Sequence, residues 1–204
     1  MSDAKSSTGQ VEILTVGHST HPPERFRELL LGAEVEALAD VRRQPGSRRM
    51  PHFDREALAR DLPAAGIAYE HLPELGGRRR SAAGSPNRGW EVEAFRAYAD
   101  HMASAEFATG LARLEKLGRR RRTAIMCAEA LWWRCHRRLV ADALTVRGWH
   151  VRHLLPDGRL AEHALPEFAV VDGTTLTYPP AQAELGVPEP PPPGAPPQSR
   201  SRRG

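Results

Sequence analysis

Thr123–Arg138, TAIMCAEALWWRCHRR, concentrates residues that could do chemistry. It holds both cysteines of the chain, Cys127 and Cys135, together with Glu129, two adjacent tryptophans and the triplet Cys135-His136-Arg137. A thiol is a nucleophile only as the thiolate. A free cysteine titrates near ~8.5, so Cys127 would need Arg134, His136 or a helix amino terminus nearby to lower that value. Glu129 is a candidate acid or base, and His136 a candidate proton shuttle. TAIM reads as a short buried strand and RRLVADALTVR as an amphipathic helix. The reactive residues therefore fall in the turn between a strand's carboxyl end and a helix's amino end. Ligands bind at that edge in open α/β sheets, and the helix end favours anions.

The elements that must position these residues alternate along the chain. Strands are expected over residues 12–16, 35–40, 67–71, 123–127 and 150–154. Helices are expected over residues 23–31, 54–65, 92–103, 107–117 and 137–147. Asp54 reads as a helix N-cap and Gly148 as the residue that ends the last helix. The pattern predicts a single α/β domain: a doubly wound, mainly parallel sheet of about five strands with helices on both faces. Residues 155–178 carry weaker signals, with a small hairpin expected around Asp172-Gly173.

Sorting the unusual residues by strand end brings them to one rim. Gly17, His18 and Ser19 follow the first strand. Asp40, Arg42, Arg43 and Pro45 follow the second, and His71, Glu74, Gly76 and Gly77 the third. Cys127, Glu129, Cys135 and His136 follow the fourth. Arg42, Arg43, Arg48, Arg49, Arg78, Arg79, Arg80, Arg88 and Arg134 share these rim loops. Such a concentration suits an anionic ligand, a nucleotide or a nucleic-acid backbone. Arg119–Arg122 precedes the fourth strand and so lies at the opposite edge, as a solvated face.

The chain has 204 residues, 40% of them hydrophobic, and a net charge of +4. Its isoelectric point near 9.6 reflects its arginines. No apolar run approaches the length of a membrane span, and the polar start MSDAKSSTGQ carries no export signal. Two cysteines do not make a disulfide framework, so a reducing, cytoplasmic setting is expected. Residues 1–10 are expected to be loose. Residues 178–204, rich in proline, are expected to form a disordered tail. That leaves residues 11–177 as the domain.

TVGHST, LADVRRQPGSRRMPHF, GIAYEHLPELGGRRR, FRAYADHM and MCAEALWWRCHRRLVADAL, in this order and spacing, resemble the domain of unknown function 488 family of uncharacterised bacterial and archaeal proteins. The resemblance runs from about Ile13 to Tyr178. It implies an α/β domain with enzyme-like signature residues and no agreed activity, and a suggested link to DNA repair that the basic rim would fit. A related branch lacks the cysteines, which argues against obligatory thiol chemistry across the group. The Asp-Val-Arg that ends the second strand is also similar to the same element in rhodanese domains, which would imply sulfur transfer.

Two chemistries are therefore expected to compete. In the first, Asp40 or Glu129 activates water against a phosphate-bearing substrate, a nucleotide or nucleic acid. His18 and His136 move protons in that reading. Ser19, Arg42, Arg43, Gly76, Gly77, Arg78, Arg134 and Arg137 hold the substrate, and Tyr69, Tyr98, Trp132 or Trp133 stacks a base. In the second, Cys127 is a nucleophile. The bulky AEALWW that follows it, and Arg134, which comes too late, argue against a phosphatase-type anion loop. A non-catalytic anion-binding module is the third possibility. No metal or other cofactor is expected: the two cysteines lack zinc-knuckle spacing, and Cys135 and His136, as neighbours, are expected to point apart.

Overall fold

The computed structural model describes residues 11–181. Residues 1–10, expected to be loose, and residues 182–204 of the tail expected over 178–204 lie outside the described residues. Among those described, six strands form the main sheet, in the order β3-β2-β4-β1-β5-β6. β1 (Glu12–Gly17), β2 (Ala37–Asp40), β3 (Ala68–His71), β4 (Thr123–Cys127) and β5 (His150–Leu154) run parallel. The sixth strand, β6 (Leu160–Glu162), pairs antiparallel with β5. It extends the expected five-stranded sheet by one short edge strand.

β1, β2 and β4, the strands at the centre of the sheet, are nearly continuous apolar runs because both faces are covered. Ile13 and Ile125 face a layer built from α4 (Ala105–Gly118) and α5 (Arg137–Thr145). Leu14, Val16, Ala124 and Met126 face the opposite layer, built from α1 (Pro23–Gly32) and α2 (Arg55–Ala64). The remaining helix, α3 (Glu93–Met102), contributes Tyr98 and Ala99 to the first layer. Phe107, Leu111 and Leu114 of α4 fall on its buried face, at the spacing one helical stripe requires. Ser104 caps that helix, its hydroxyl accepting from Phe107 N at 3.1 Å. Asp54 precedes α2 but does not cap it with its side chain. Its carboxylate accepts from Ser47 N at 2.8 Å and closes the preceding loop instead.

Two further readings change. Arg122 is not merely solvated: it pairs with Glu12 at 2.6 Å and donates to Ala33 O at 2.8 Å. Tyr178 belongs to the domain rather than the tail, since it is fully buried and its hydroxyl donates to Asp142 Oδ2 at 2.7 Å. The expected hairpin is present as β7 (Val170–Asp172) and β8 (Thr175–Thr177), joined across Gly173-Thr174. Among the described residues, no helix is long and apolar enough to cross a membrane.

The connections create the site. The chain leaves β1 and β2 toward α1 and α2 on one face, and leaves β4 toward α5 on the other. Since β4 lies between β2 and β1, the carboxyl end of β4 sits where the connections diverge, the position at which such sheets open a crevice.

Candidate active site

Register brings the rim residues together. Gly17 pairs with Cys127, and Asp40 with Met126, so His18, Arg42 and Cys127 emerge side by side. His18 N donates to Cys127 O and Ser19 N to Ala128 O, each at 3.0 Å, which ties the exits of β1 and β4. Between these exits lies a cleft of about 450 Å³, lined by Arg42, Arg43, Gln44, Gly77, Arg78, Cys127, Ala128 and His136. That volume suits a small ligand. The charged groups in this lining are arginines, with no carboxylate among them.

Asp40 is buried and saturated. Its Oδ1 accepts from Arg42 N at 3.0 Å and Arg42 Nε at 2.8 Å. Its Oδ2 accepts from Arg42 Nη2 at 2.6 Å and the Tyr69 hydroxyl at 2.9 Å. No lone pair is left to activate water, so Asp40 and Tyr69 position Arg42 instead of acting as base and stacking platform. Arg42 also donates to Phe53 O at 2.7 Å and to His18 Nε2 at 3.2 Å. One Nη1 hydrogen is left over for a ligand in the cleft.

His18 Nδ1 must donate to the Ser19 carbonyl at 2.9 Å, because that oxygen only accepts. Its Nε2 is then the acceptor for Arg42, and the ring stacks on Phe53 at 4.1 Å. His18 is therefore a strut beneath Arg42. Ser19, in a left-handed backbone conformation with φ of 48°, joins two loops and does not line the cleft.

The reactive group that does face the cleft is Cys127, half-buried, at the end of β4. His136 Nδ1 lies 3.8 Å from its Sγ and 3.7 Å from Sγ of the buried Cys135. His136 Nε2 donates to Val41 O at 3.0 Å, which leaves Nδ1 as the nitrogen turned toward the sulfurs. Cys135 is extended (φ −122°, ψ 145°) and His136 is helical (φ −57°, ψ −21°). This change of backbone at the start of α5 turns neighbouring side chains toward one point, contrary to the expected divergence. The Cys135 thiol, ahead of His136 and despite the opposing effect of burial, holds Cys127 well below the usual thiol range. The same contact and burial push Cys135 well above it. Of the two thiols, Cys127 is the one held toward the thiolate form.

Other expected site residues are placed differently. Glu129 is exposed and outside the cleft lining. Arg137 is buried and donates to the carbonyls of Glu129 at 2.5 Å and Ala130 at 2.9 Å, holding the loop shape instead of a substrate. Arg134 is exposed and outside the lining. Arg79 is committed to Glu106 at 2.8 Å and to loop carbonyls, while Arg43 and Arg78 remain exposed on the cleft wall. Gly77 lines the cleft, and both Gly76 and Gly77 permit close packing. A Cβ on Gly76 would lie 2.7 Å from Arg43 Cα, and one on Gly77 2.8 Å from His136 Nδ1. Trp132 stacks flat on His153 at 3.8 Å, and the Tyr98 hydroxyl donates to Leu75 O at 2.6 Å. Both rings are structural; of the four aromatics, Trp133 is the exposed one.

Residues 22–144 match the family model described as Domain of unknown function DUF488. The chain belongs to this family. No curated protein and no solved structure matches it. In this DUF488 chain the matched span holds Asp40, Arg42, Gly77, Cys127 and His136, while His18 and Ser19 lie just before it.

Two buried histidines of this chain, His18 and His153, should contribute to its acid sensitivity. Burial, then the Arg42 charge, lowers His18 to about 4. Burial, then the His163 charge, lowers His153 to about 3. Unfolded, both titrate near 6.5. The folded state thus binds fewer protons at acid pH. The stability these neutral rings contribute is complete above 6.5 and is lost as pH falls through 6.5 toward 4 and 3. Each adds a slope of at most about 1.4 kcal/mol per pH unit. Urea midpoints should fall steeply between pH 6 and 4, and a His18→Gln variant should show a shallower slope there. An unchanged slope would contradict this role for His18.

Proposed function

We propose that this chain is an enzyme that holds a phosphate-bearing anion in the cleft and acts on it through the Cys127 thiolate. One observation carries the reading: the Cys127 thiol, beside His136 Nδ1, opens onto a cleft whose charged lining is Arg42, Arg43 and Arg78. The arginines neutralise the substrate and orient it. The sulfur attacks the electrophilic atom, forming a bond to it, and the leaving group departs with the bonding pair. His136 Nδ1 stands where it can hold the proton that the Cys127 thiol has shed and give it to the leaving group.

Water activation by Asp40 or Glu129 is the weaker reading, because Asp40 has no free lone pair and Glu129 is absent from the lining. The substrate class is a nucleotide, another small phosphate ester, or a nucleic-acid strand. A DNA-repair role falls within that class. A cytoplasmic setting, which keeps thiols reduced, suits the chemistry.

Inorganic phosphate should slow alkylation of Cys127 by neutral iodoacetamide at least fivefold, and Arg43→Ala with Arg78→Ala should remove that protection. Absence of protection in the unmodified chain would overturn the anion site. Stronger protection by a single-stranded oligonucleotide than by a mononucleotide would assign the strand as substrate.

A further inference from the structure

The geometry points to a site for one thiophilic divalent cation, of the zinc type, held by Cys127 Sγ, Cys135 Sγ and His136 Nδ1, with its fourth position open to the arginine-lined cleft. This goes beyond the nucleophile reading and does not depend on it.

The three ligand atoms lie within 4.8 Å of one another. Tetrahedral zinc, with Zn–S of about 2.3 Å and Zn–N of about 2.0 Å, sets an S···N edge of ~3.5 Å. The two S···N separations are 3.8 and 3.7 Å, within a few tenths of an ångström of that edge. The outer contact also fits. A histidine that binds metal through one nitrogen generally donates the other N–H to a carbonyl or carboxylate, which fixes the ring. His136 does so, from Nε2 to Val41 O at 3.0 Å. The residues that pack behind the trio leave that ring little freedom: Gly77 admits no Cβ beside it, and Tyr98 lies 5.0 Å away, centroid to centroid.

Ligand type narrows the ion. Two thiolates and one imidazole select a soft or borderline cation over magnesium or calcium. Three protein ligands are the number that catalytic zinc sites use, where a water or substrate oxygen completes the tetrahedron. Cys127 and His136 both line the cleft, so the vacant position faces the space bounded by Arg42, Arg43 and Arg78. A dithiolate zinc centre carries no net charge, so it leaves those arginines free to recruit an anion toward the metal. Binding needs both sulfurs as thiolates and releases to solvent whatever protons they still carry. Cys127 is then a ligand, and thiol nucleophilicity and metal binding become alternative uses of one sulfur.

The test is a cobalt titration of the full chain, reduced and freed of metal. One equivalent of Co²⁺ should bind, with a thiolate-to-cobalt charge-transfer band and the visible absorption of tetrahedral cobalt, and Zn²⁺ should bleach both. Cys135→Ser and His136→Gln should each weaken binding at least tenfold, and Zn²⁺ should slow alkylation of Cys127 in the unmodified chain at least tenfold. Failure of the unmodified chain to give the charge-transfer band would overturn the metal site. So would binding that survives replacement of both cysteines by serine. Fast alkylation of the metal-free chain alongside a failed cobalt titration would leave the nucleophile reading standing. A good cobalt complex with a sluggish metal-free thiol would support the metal and remove the nucleophile.

Discussion

Replacing Asp40 with alanine should cost the fold about 3–5 kcal/mol, because it strands a buried guanidinium. The Asp40 side chain is fully buried and that of Arg42 nearly so, and their two-point contact is supplemented by Tyr69, Phe53 and His18. Removal of the carboxylate leaves a nearly buried Arg42 with its charge and only two of its protein acceptors, Phe53 O and His18 Nε2. Urea denaturation at neutral pH should show the loss as a lowered midpoint. Glu129→Gln, at an exposed position, should stay within about 0.5 kcal/mol of the unmodified chain. The contrast separates the two carboxylates that the sequence treats alike. A loss below about 1 kcal/mol for Asp40→Ala would mean that Arg42 finds another partner, and the account of the cleft's fixed wall would fail.

Tyr178→Ala should be nearly as damaging, at about 3–5 kcal/mol, the range for deleting a large buried aromatic ring. The ring is fully buried and packs near Trp90 and Phe168, at centroid distances of 5.4 and 6.1 Å. Its backbone matters as well. Tyr178 N donates to Asn87 Oδ1 at 2.9 Å, and Gly89 N donates to Tyr178 O at 2.8 Å. Tyr178 therefore anchors the end of the long loop that begins with Gly76, Gly77 and Arg78. Tyr178→Phe retains the ring and leaves Asp142 Oδ2 without the hydroxyl, and should cost about 1–3 kcal/mol. Truncation before Tyr178 should destabilise the domain as the alanine does, whereas truncation after Ala181 should leave the urea midpoint unchanged. Equal stability of the two truncations would return Tyr178 to the tail.

The centre of the sheet was legible because β1, β2 and β4 are short, mainly apolar runs between charged or glycine-bearing turns; β4 and β5 fall where the residue pattern puts them. β6 was not, since Leu160–Glu162 is three residues long, only partly buried, and specified by its pairing with β5. The rim was legible as a set of loops but not as directions. Glu129 is two residues from Cys127, yet one faces solvent and the other the cleft. A usable signal did exist for Asp40 and Arg42: residues two apart at a strand end share a side, so Asp-Val-Arg predicts an ion pair. Cys135 is the residue the sequence undervalued. Its approach to His136 depends on a backbone change at the start of α5 that no residue spacing encodes.

As proposed, Cys127 is an activated thiolate inside a cationic cleft. The ratio of its alkylation rates by iodoacetate and iodoacetamide tests this most directly. An ordinary exposed thiol prefers the neutral reagent. In this cleft the anionic reagent should react at least tenfold faster than the neutral one, and Arg43→Ala with Arg78→Ala should reverse the preference. Preference for iodoacetamide in the unmodified, metal-free chain would contradict the account.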